Sequence, residues 1–288
     1  MKRAILNTLI LLAMVDPGLC QKREPLRVMT FNIRYNTPAD GEDAWPFRKE
    51  MAASMIRFHR ADLVGLQEAL KNQIDDLETL LPEYGWFGLG RDDGKEAGEF
   101  SAILYLESRF EILESQTFWL SETPEKPGPG WDARLNRVVT WGKLKDLENN
   151  EVFFFFNTHF DHQAETARRE SARLVKRKIE ELTEELPVIL CGDFNATPDS
   201  EPYRIILDAT QNVLLKDTKG MSTGLHHGPN TTFNGFKADY FENDERVIDH
   251  IFVTSQFKVA SHGTLSESME GHFPSDHFPV LAELYFPR

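Results

Sequence analysis

Polar residues that can bind a metal ion or move a proton stand at or beside the ends of the apolar segments that this sequence predicts as core strands. Six such positions occur: Asn32, Gln67-Glu68, Asn157-Thr158-His159, Gly192-Asp193-Phe194-Asn195, Ile248-Asp249-His250 and Pro274-Ser275-Asp276-His277. A single polar strand end is explained by a cap or a turn, but a buried carboxylate is costly unless it is paired or binds metal. Because sites in α/β proteins assemble at strand termini, the set predicts one functional site.

The residue types at these positions indicate the chemistry. Asn, Asp and Glu offer oxygens, which suit hard cations such as Mg²⁺, Mn²⁺ or Ca²⁺, and no His/Cys cluster has zinc spacing. Hydrolysis of a phosphate ester needs a metal to neutralise developing charge, a group that orients water and a group that assists the leaving oxygen. Histidines beside carboxylates suit the proton roles. The pattern predicts a divalent-metal-dependent phosphoesterase that uses direct attack of water.

The elements that must position these residues alternate between strand-like and helical segments, with no internal repeat and no long linker. Phe153 to Phe156 is apolar at every position, which predicts a strand buried on both faces. Apolar runs predict strands at 26–32, 62–68, 101–106, 110–120, 138–147, 151–160, 187–194, 246–254 and 277–286. Helical periodicity predicts helices at 45–60, 70–81, 164–186 and 199–208.

The N-terminal segment differs from the rest of the chain. Two basic residues precede an apolar run over residues 4–15, and Gly18 and Cys20 supply small residues two apart. This pattern is typical of a signal peptide, although a buried N-terminal helix is the alternative. We therefore expect a signal peptide over 1–20, a single domain over 21–288, and export to the periplasm or the medium. The apolar run is too short to span a bilayer, so we expect no stable membrane insertion after its removal.

The formal net charge of −14 bears on the partner. An acidic surface repels a nucleic-acid backbone unless a local basic groove compensates. The most basic segment, residues 168–178, is interleaved with Glu and is typical of a solvated helix face. We therefore favour a small phosphorylated substrate, with nucleic acid as the alternative, and we expect a monomer.

Six short motifs, taken in order, resemble the endonuclease/exonuclease/phosphatase superfamily, which includes DNase I-like nucleases. They are Thr30-Phe31-Asn32, Gly65-Leu66-Gln67-Glu68, Asn157-Thr158-His159, Gly192-Asp193-Phe194-Asn195, Ile248-Asp249-His250-Ile251-Phe252 and Ser275-Asp276-His277-Phe278-Pro279. The resemblance covers residues 26–286 and implies an α/β fold, a four-layer α/β/β/α sandwich of two mixed sheets flanked by helices. The segments 117–124 and 130–132 are similar to the exported bacterial branch.

The resemblance implies roles for the polar strand ends. Glu68 is similar to the principal metal ligand, and Asn32 and Asp276 match the positions of further ligands. Asp193 is similar to the residue that orients or deprotonates the attacking water. Asn195 matches the residue that binds the phosphoryl oxygen.

Two histidines complete the implied site. His277 is similar to the histidine beside the phosphate, with Asp249 as its orienting partner. His159 matches the second catalytic histidine, and we expect Glu99 to orient it because the segment around Glu99 resembles the corresponding part of DNase I-like enzymes. His250 departs from the tyrosine or arginine-like residue common after the aspartate, and we expect it to be tolerated as packing.

Further substrate contacts are expected from Arg91 and Arg137, since both lie in segments similar to those of DNase I-like enzymes. The alternative for each is a surface salt bridge. Asp161 and His162 follow His159 and are candidates for the mouth of the site. Trp45, Trp141 and the ends of the loop 119–131 are candidates for stacking on substrate, with core packing as the alternative. His226, His227 and His272 are expected to be solvated.

Two other hypotheses remain open from the sequence. A nuclease of the same family predicts a basic surface beside the site and salt-sensitive activity. A binding module that has lost its chemistry predicts a missing catalytic group, whereas every principal position is filled here.

Overall fold

The computed structural model describes residues 24–209, 213–239 and 246–286, so the predicted signal peptide over residues 1–20 lies outside the described residues. Within these ranges the chain forms two six-stranded sheets. The sheets pack face to face, and helices cover the outer face of each. This arrangement confirms the predicted four-layer sandwich.

The first sheet combines strands from both ends of the chain. Its order is β11 (Lys258–Thr264), β12 (Val280–Tyr285), β1 (Leu26–Asn32), β2 (Leu63–Gln67), β4 (Ile103–Leu106) and β3 (Tyr84–Phe87). β1 and β2 run parallel, and the other neighbours run antiparallel.

The second sheet comes from the middle of the chain. Its order is β5 (Phe110–Trp119), β6 (Val138–Asp146), β7 (Val152–His159), β8 (Val188–Asp193), β10 (Asp249–Thr254) and β9 (Leu215–Asp217). β7 and β8 are its parallel pair. Alternate phenylalanines of β7 face the opposite sheet or the outer helices, which confirms a strand buried on both faces.

The helices lie outside the two sheets. They are α1 (Trp45–Phe58), α2 (Lys71–Leu80), α3 (Glu165–Thr183), α4 (Glu201–Leu207) and α5 (Thr218–Met221), with a 3₁₀ segment at Pro38–Asp43. Apolar residues of α1 and α2 pack on β1 and β2, whereas α3 and α4 pack on the second sheet. Among the described residues, no helix is both long enough and apolar enough to cross a membrane.

The predicted strands and helices are confirmed, with ends shifted by a few residues. β3, β9, β11 and α5 are not predicted from the sequence. β3 and β11 are edge strands, and β9 has three residues. Such strands lack a continuous apolar run, because one side of an edge strand faces solvent or a loop.

The strand registers bring the polar strand ends to one edge of the sandwich. On β1 and β2, Asn32 lies opposite Gln67. On the second sheet Asp193 has two neighbours, because His159 lies opposite it on parallel β7 and Asp249 lies opposite it on antiparallel β10. The register alone therefore surrounds one aspartate with a histidine and a second carboxylate.

A buried amide connects the two sheets directly below this edge. The Asn157 Nδ2 donates to the carbonyl oxygens of Leu66 and Ala102, both at 2.8 Å, and its Oδ1 accepts from Gln67 Nε2 at 2.6 Å. Gly65 provides the space for the Asn157 side chain, because a Cβ atom at position 65 would lie only 2.6 Å from Asn157 Oδ1. Asn157 and Gln67 are both fully buried. These two strand-end residues therefore connect the sheets below the other polar strand ends.

We predict that Asn157→Ala lowers the free energy of unfolding by about 3 kcal/mol, because it removes three buried hydrogen bonds between the sheets and leaves a cavity. Urea denaturation monitored by circular dichroism measures this change. Asn72→Ala on the exposed face of α2 is the control, with an expected change below about 0.5 kcal/mol. Equal stability of the two variants would show that the cross-sheet bonds contribute little.

Candidate active site

The polar strand ends line a cleft of about 600 Å³ at the edge where the two sheets meet. Its lining includes Arg34, Tyr35, Glu68, Glu99, Leu135, Arg137, His159, His162, Asp193, Asn195, Phe233, Arg246, Ile248, Asp276 and His277. A larger groove of about 960 Å³ lies between α1 and residues 269–273, but none of the predicted site residues lines it. We therefore place the chemistry in the smaller cleft.

His277 and Asp249 form a hydrogen-bonded pair inside the cleft. The His277 Nδ1 lies 2.9 Å from Asp249 Oδ2, and the His277 Nε2 lies 3.8 Å from Asp193 Oδ2. Burial lowers the pKa of His277, but the charge and hydrogen bond of Asp249, together with Asp193, more than offset this and raise it to about 10. His277 is therefore protonated at neutral pH and presents its Nε2–H to the cleft.

Asp193 is almost fully buried beside this pair. Its carboxylate accepts from Asn32 Nδ2 at 3.0 Å and from the Asn195 backbone N–H at 2.9 Å. Burial, followed by the negative charge of Asp249, raises the pKa of Asp193 to about 7. A carboxylate with a raised pKa is a stronger base than an exposed aspartate, which suits the removal of a proton from water.

His159 has the opposite electrostatic environment to His277. Its Nε2 lies 3.1 Å from Asn195 Nδ2, which also donates to the Phe160 carbonyl oxygen. Because an amide nitrogen only donates, the His159 Nε2 is the acceptor and carries no proton. Burial, and then the positive charges of Arg137 and Arg91, holds the pKa of His159 well below its usual range. Of the two histidines expected to be catalytic, His159 is thus neutral and His277 is protonated.

The expected pairing of Glu99 with His159 is not formed among the described residues. The Glu99 Oε2 accepts from Arg91 Nη1 at 2.6 Å, because the guanidinium of Arg91 lies closer than the imidazole. Arg91 lies behind Glu99 and lines only a cavity of about 10 Å³. Arg91 itself does not line the cleft, whereas Glu99 and Arg137 do, and the expectation that Arg91 contacts substrate stays a prediction.

Glu68 and Asp276 offer the oxygens that a cation needs. Both carboxylates lie 3.9 Å from the Arg34 guanidinium, so they face the same side of the cleft. Burial, with a contribution from Glu68, raises the pKa of Asp276. Glu68 has a left-handed backbone with φ of 61°, a conformation that non-glycine residues adopt mainly at functional sites. This set of hard oxygen donors fits Mg²⁺ or Mn²⁺.

Asn32 is oriented differently from a metal ligand. Its Nδ2 donates to Glu68 Oε1 at 3.1 Å and to Asp193, whereas its Oδ1 accepts from the Arg34 backbone N–H at 3.0 Å. It therefore presents nitrogen to the two carboxylates and holds them in position. Asp193, Asp249 and His277 also place ligand atoms within 4.8 Å of one another. The hydrogen bond between His277 and Asp249 would compete with a cation there, so we assign the cation to Glu68 and Asp276.

His250 lies directly behind the site, on the opposite face of β10 from Asp249. Its Nε2 donates to the Ala196 carbonyl oxygen at 2.9 Å, and its Nδ1 lies 3.5 Å from Asp217 Oδ2. The hydroxyl of Tyr203 donates to the same Asp217 oxygen at 2.8 Å. The expectation that His250 only packs is therefore incomplete, because it also fixes the backbone one residue after Asn195.

Other side chains around the cleft have no clear signal in the sequence. Phe233 packs edge-on against His277, with ring centroids 5.0 Å apart, and Arg246 lies over the Phe233 ring at 4.2 Å. The segment that carries Phe233 and Arg246 has neither strand nor helix periodicity, so no sequence pattern indicates that it belongs to the site.

His226 was expected to be solvated, but its Nδ1 lies 3.0 Å from His262 Nδ1.

The tryptophans of the described residues do not form a stacking surface in the cleft. Trp45, Trp119 and Trp141 are at most 4% exposed and belong to the core. The indole N–H of Trp119 donates to the carbonyl oxygen of Arg91 at 2.7 Å, and Trp131 packs at the edge of the outer core of the second sheet. Core packing therefore explains these residues.

Comparison with known proteins identifies the family. The family model described as "Endonuclease/Exonuclease/phosphatase family" matches residues 29–277. The chain belongs to this family, whose members are hydrolases that act on phosphoesters and generally use divalent metal ions.

Solved structures of similar sequence cover almost the whole chain. A family member from Bacteroides vulgatus is 42% identical, with a TM-score of 0.86, and the match covers 92% of this chain and 100% of that one. A mannosyl-6-phosphatase from Bacteroides thetaiotaomicron is 40% identical, with a TM-score of 0.85, over 91% of this chain and 100% of that one. Rat nocturnin is 24% identical over 91% of this chain, which spans just under two thirds (66%) of nocturnin.

We predict that Asp193→Asn and His277→Ala each lower kcat by about 100-fold to 10,000-fold, because each removes a group that moves or stabilises a proton. Asp193→Asn should not lower the melting temperature, since it removes a buried charge that burial and Asp249 disfavour. Steady-state kinetics and differential scanning fluorimetry measure the two effects. A kcat near that of the wild type in either variant would contradict the assignment.

We predict that His250→Phe lowers kcat by about tenfold with little change in KM, because the ring still packs but Ala196 loses its donor and Asn195 shifts. His250→Gln, which offers an amide donor, should recover part of the loss. Ile206→Val is a matched control in the same buried cluster and should leave kcat unchanged while costing about 1 kcal/mol of stability. Equal kcat values for His250→Phe and Ile206→Val would show a purely structural role.

Proposed function

We propose that the protein is a divalent-metal-dependent phosphatase that hydrolyses the phosphomonoester of a small polyhydroxylated substrate, of the class of hexose 6-phosphates. The observation that carries the proposal is the cleft itself, where a protonated His277, a neutral His159 and a buried Asp193 converge. The 40% identity to a mannosyl-6-phosphatase over nearly the whole chain supports the substrate class.

Glu68 and Asp276 would hold the cation, and Asn32 would position Glu68 through its amide nitrogen. The cation, when bound, would supply positive charge to the phosphoryl oxygens and so reduce the repulsion that an incoming nucleophile meets. The clustering of these buried carboxylates supports this role, because their mutual repulsion is relieved by a divalent ion.

The remaining groups act on the water and the phosphate. Asp193 orients the attacking water and takes its proton, which its raised pKa favours. As the water oxygen bonds to phosphorus, the phosphorus–oxygen bond to the alcohol breaks, and the leaving alcohol oxygen takes a proton from water in the open cleft. The protonated His277 donates to a phosphoryl oxygen, and Asp249 fixes its ring through Nδ1. Asn195 and His159 lie on the other side of Asp193, and Asn195 would bind a phosphoryl oxygen by giving up its hydrogen bond to His159.

Charge favours a small substrate over a nucleic acid. The chain has a formal net charge of −14. Two of the three arginines that line the cleft have carboxylate neighbours, because Arg34 lies 2.9 Å from Asp40 and Arg137 lies 3.7 Å from Asp161. A polynucleotide requires a track of uncompensated basic side chains. The cleft of about 600 Å³ is within the range of small-molecule sites.

A substrate panel tests the proposal. The purified protein is incubated with hexose 6-phosphates, nucleotides, phosphodiesters, phospholipids, DNA and RNA, in EDTA and then with excess Mg²⁺ or Mn²⁺, and released phosphate is measured. We expect hydrolysis of a hexose 6-phosphate that EDTA abolishes and that either ion restores. Full activity in EDTA would refute metal dependence, and cleavage of nucleic acid with no release of phosphate from sugars would establish the nuclease alternative.

A further inference from the structure

Arg137 is a buried arginine whose hydrogen-bonding capacity is only partly used. It is 5% exposed and lines the catalytic cleft. Its Nη2 donates to His162 Nδ1 at 3.0 Å, but its Nε and Nη1 have no hydrogen-bond acceptor among the described residues. Both of these nitrogens are shielded from solvent, so the contact of Arg137 with the open part of the site is its hydrogen bond to His162.

The contact with Arg137 determines which nitrogen of His162 carries the proton. A guanidinium only donates, so the Nδ1 of His162 is the acceptor and the proton of the neutral ring is on Nε2. Burial, and then the charge of Arg137, lowers the pKa of His162, which keeps the ring neutral. His162 is exposed and lines the cleft, so its Nε2–H is a free donor for a ligand.

A second pocket of about 400 Å³ adjoins the cleft at this histidine. It shares Leu135 and His162 with the cleft, and its other lining residues are Asp132, Arg134, Asp161, Gln163 and Ala164. Its floor is rigid. Asp161 Oδ1 accepts from two backbone N–H groups, and Asp132 accepts from the Ala167 N–H at the start of α3. We call this pocket the side pocket.

We propose that the side pocket is the binding site for the alcohol part of the substrate, with His162 Nε2–H donating to one of its hydroxyl oxygens and Arg137 holding the His162 ring in place through Nδ1. The proposal rests on the proposed phosphatase function. It assigns His162 to the recognition of the leaving group, a role separate from the chemistry on phosphorus.

The charges around the side pocket favour neutral hydroxyls over a second anion. Asp132 and Asp161 outnumber Arg134 on its wall, and Asp161 lies beside Arg137. A second phosphate would meet these carboxylates, whereas a hydroxyl accepts from His162 and donates to them without that repulsion. Leu135 adds an apolar surface of the kind that the C–H face of a sugar ring contacts.

Two substitutions of His162 test the roles of its two ring nitrogens one at a time. In His162→Asn the amide oxygen replaces Nδ1 as acceptor for Arg137, but the Nε2 donor is lost. In His162→Gln the amide nitrogen reaches the position of Nε2 and keeps the donor. For each variant, KM and kcat are measured with the hexose 6-phosphate that the wild type hydrolyses, together with the inhibition constant of inorganic phosphate. His272→Asn, a half-exposed histidine outside both pockets, is the control.

We expect His162→Asn to raise KM by about fivefold, the effect of one lost hydrogen bond, with no change in kcat or in the inhibition constant of phosphate. His162→Gln and His272→Asn should behave as the wild type. An unchanged KM in His162→Asn, or an equal rise in the inhibition constant of phosphate, would overturn the side-pocket assignment alone. A wild-type enzyme that releases phosphate from 4-nitrophenyl phosphate but from no sugar phosphate would overturn the proposed substrate class as well.

Discussion

The hydrogen bonds that Asn157 makes across the sandwich determine where the rest of the active site lies. One side chain of β7 satisfies two carbonyls of the facing sheet and the amide of Gln67, in the space that Gly65 leaves free. A buried amide that loses these partners would be costly, so the two sheets have one strongly preferred alignment. That alignment brings Glu68, at the end of β2, opposite Asp193, at the end of β8.

The same alignment of the two sheets places several charged side chains close together in a buried environment. The carboxylates of Asp193, Asp249 and Asp276 are all buried or nearly so, and burial raises the pKa of Asp193 and Asp276. Such a cluster opposes folding. In this cluster the two histidines have very different pKa values, because Asp249 raises the pKa of His277 while burial and the arginines lower the pKa of His159. Groups with separated protonation states are what acid–base chemistry at neutral pH requires.

Outside this centre, residues without catalytic chemistry control geometry and access. His250 reaches through the second sheet to the backbone beside Asn195, and its own position depends on Asp217 and Tyr203. On the other side, Arg137 connects the catalytic cleft to the side pocket through His162. The family members are hydrolases of phosphoesters, so we expect differences in substrate to arise from residues outside the catalytic centre.

The sequence alone determined the family, the strands of the core and most of the polar strand ends. β1 is predicted to the residue at Leu26–Asn32, because a strand buried on both faces carries apolar residues that point to each face. Export remains a prediction, since residues 1–20 lie outside the described part of the chain. The tertiary structure decided the side-chain partners, as Glu99 shows by binding Arg91 in place of His159. A strand pattern specifies which face a residue occupies, but its partner depends on which side chain from a distant segment lies nearest in the folded protein.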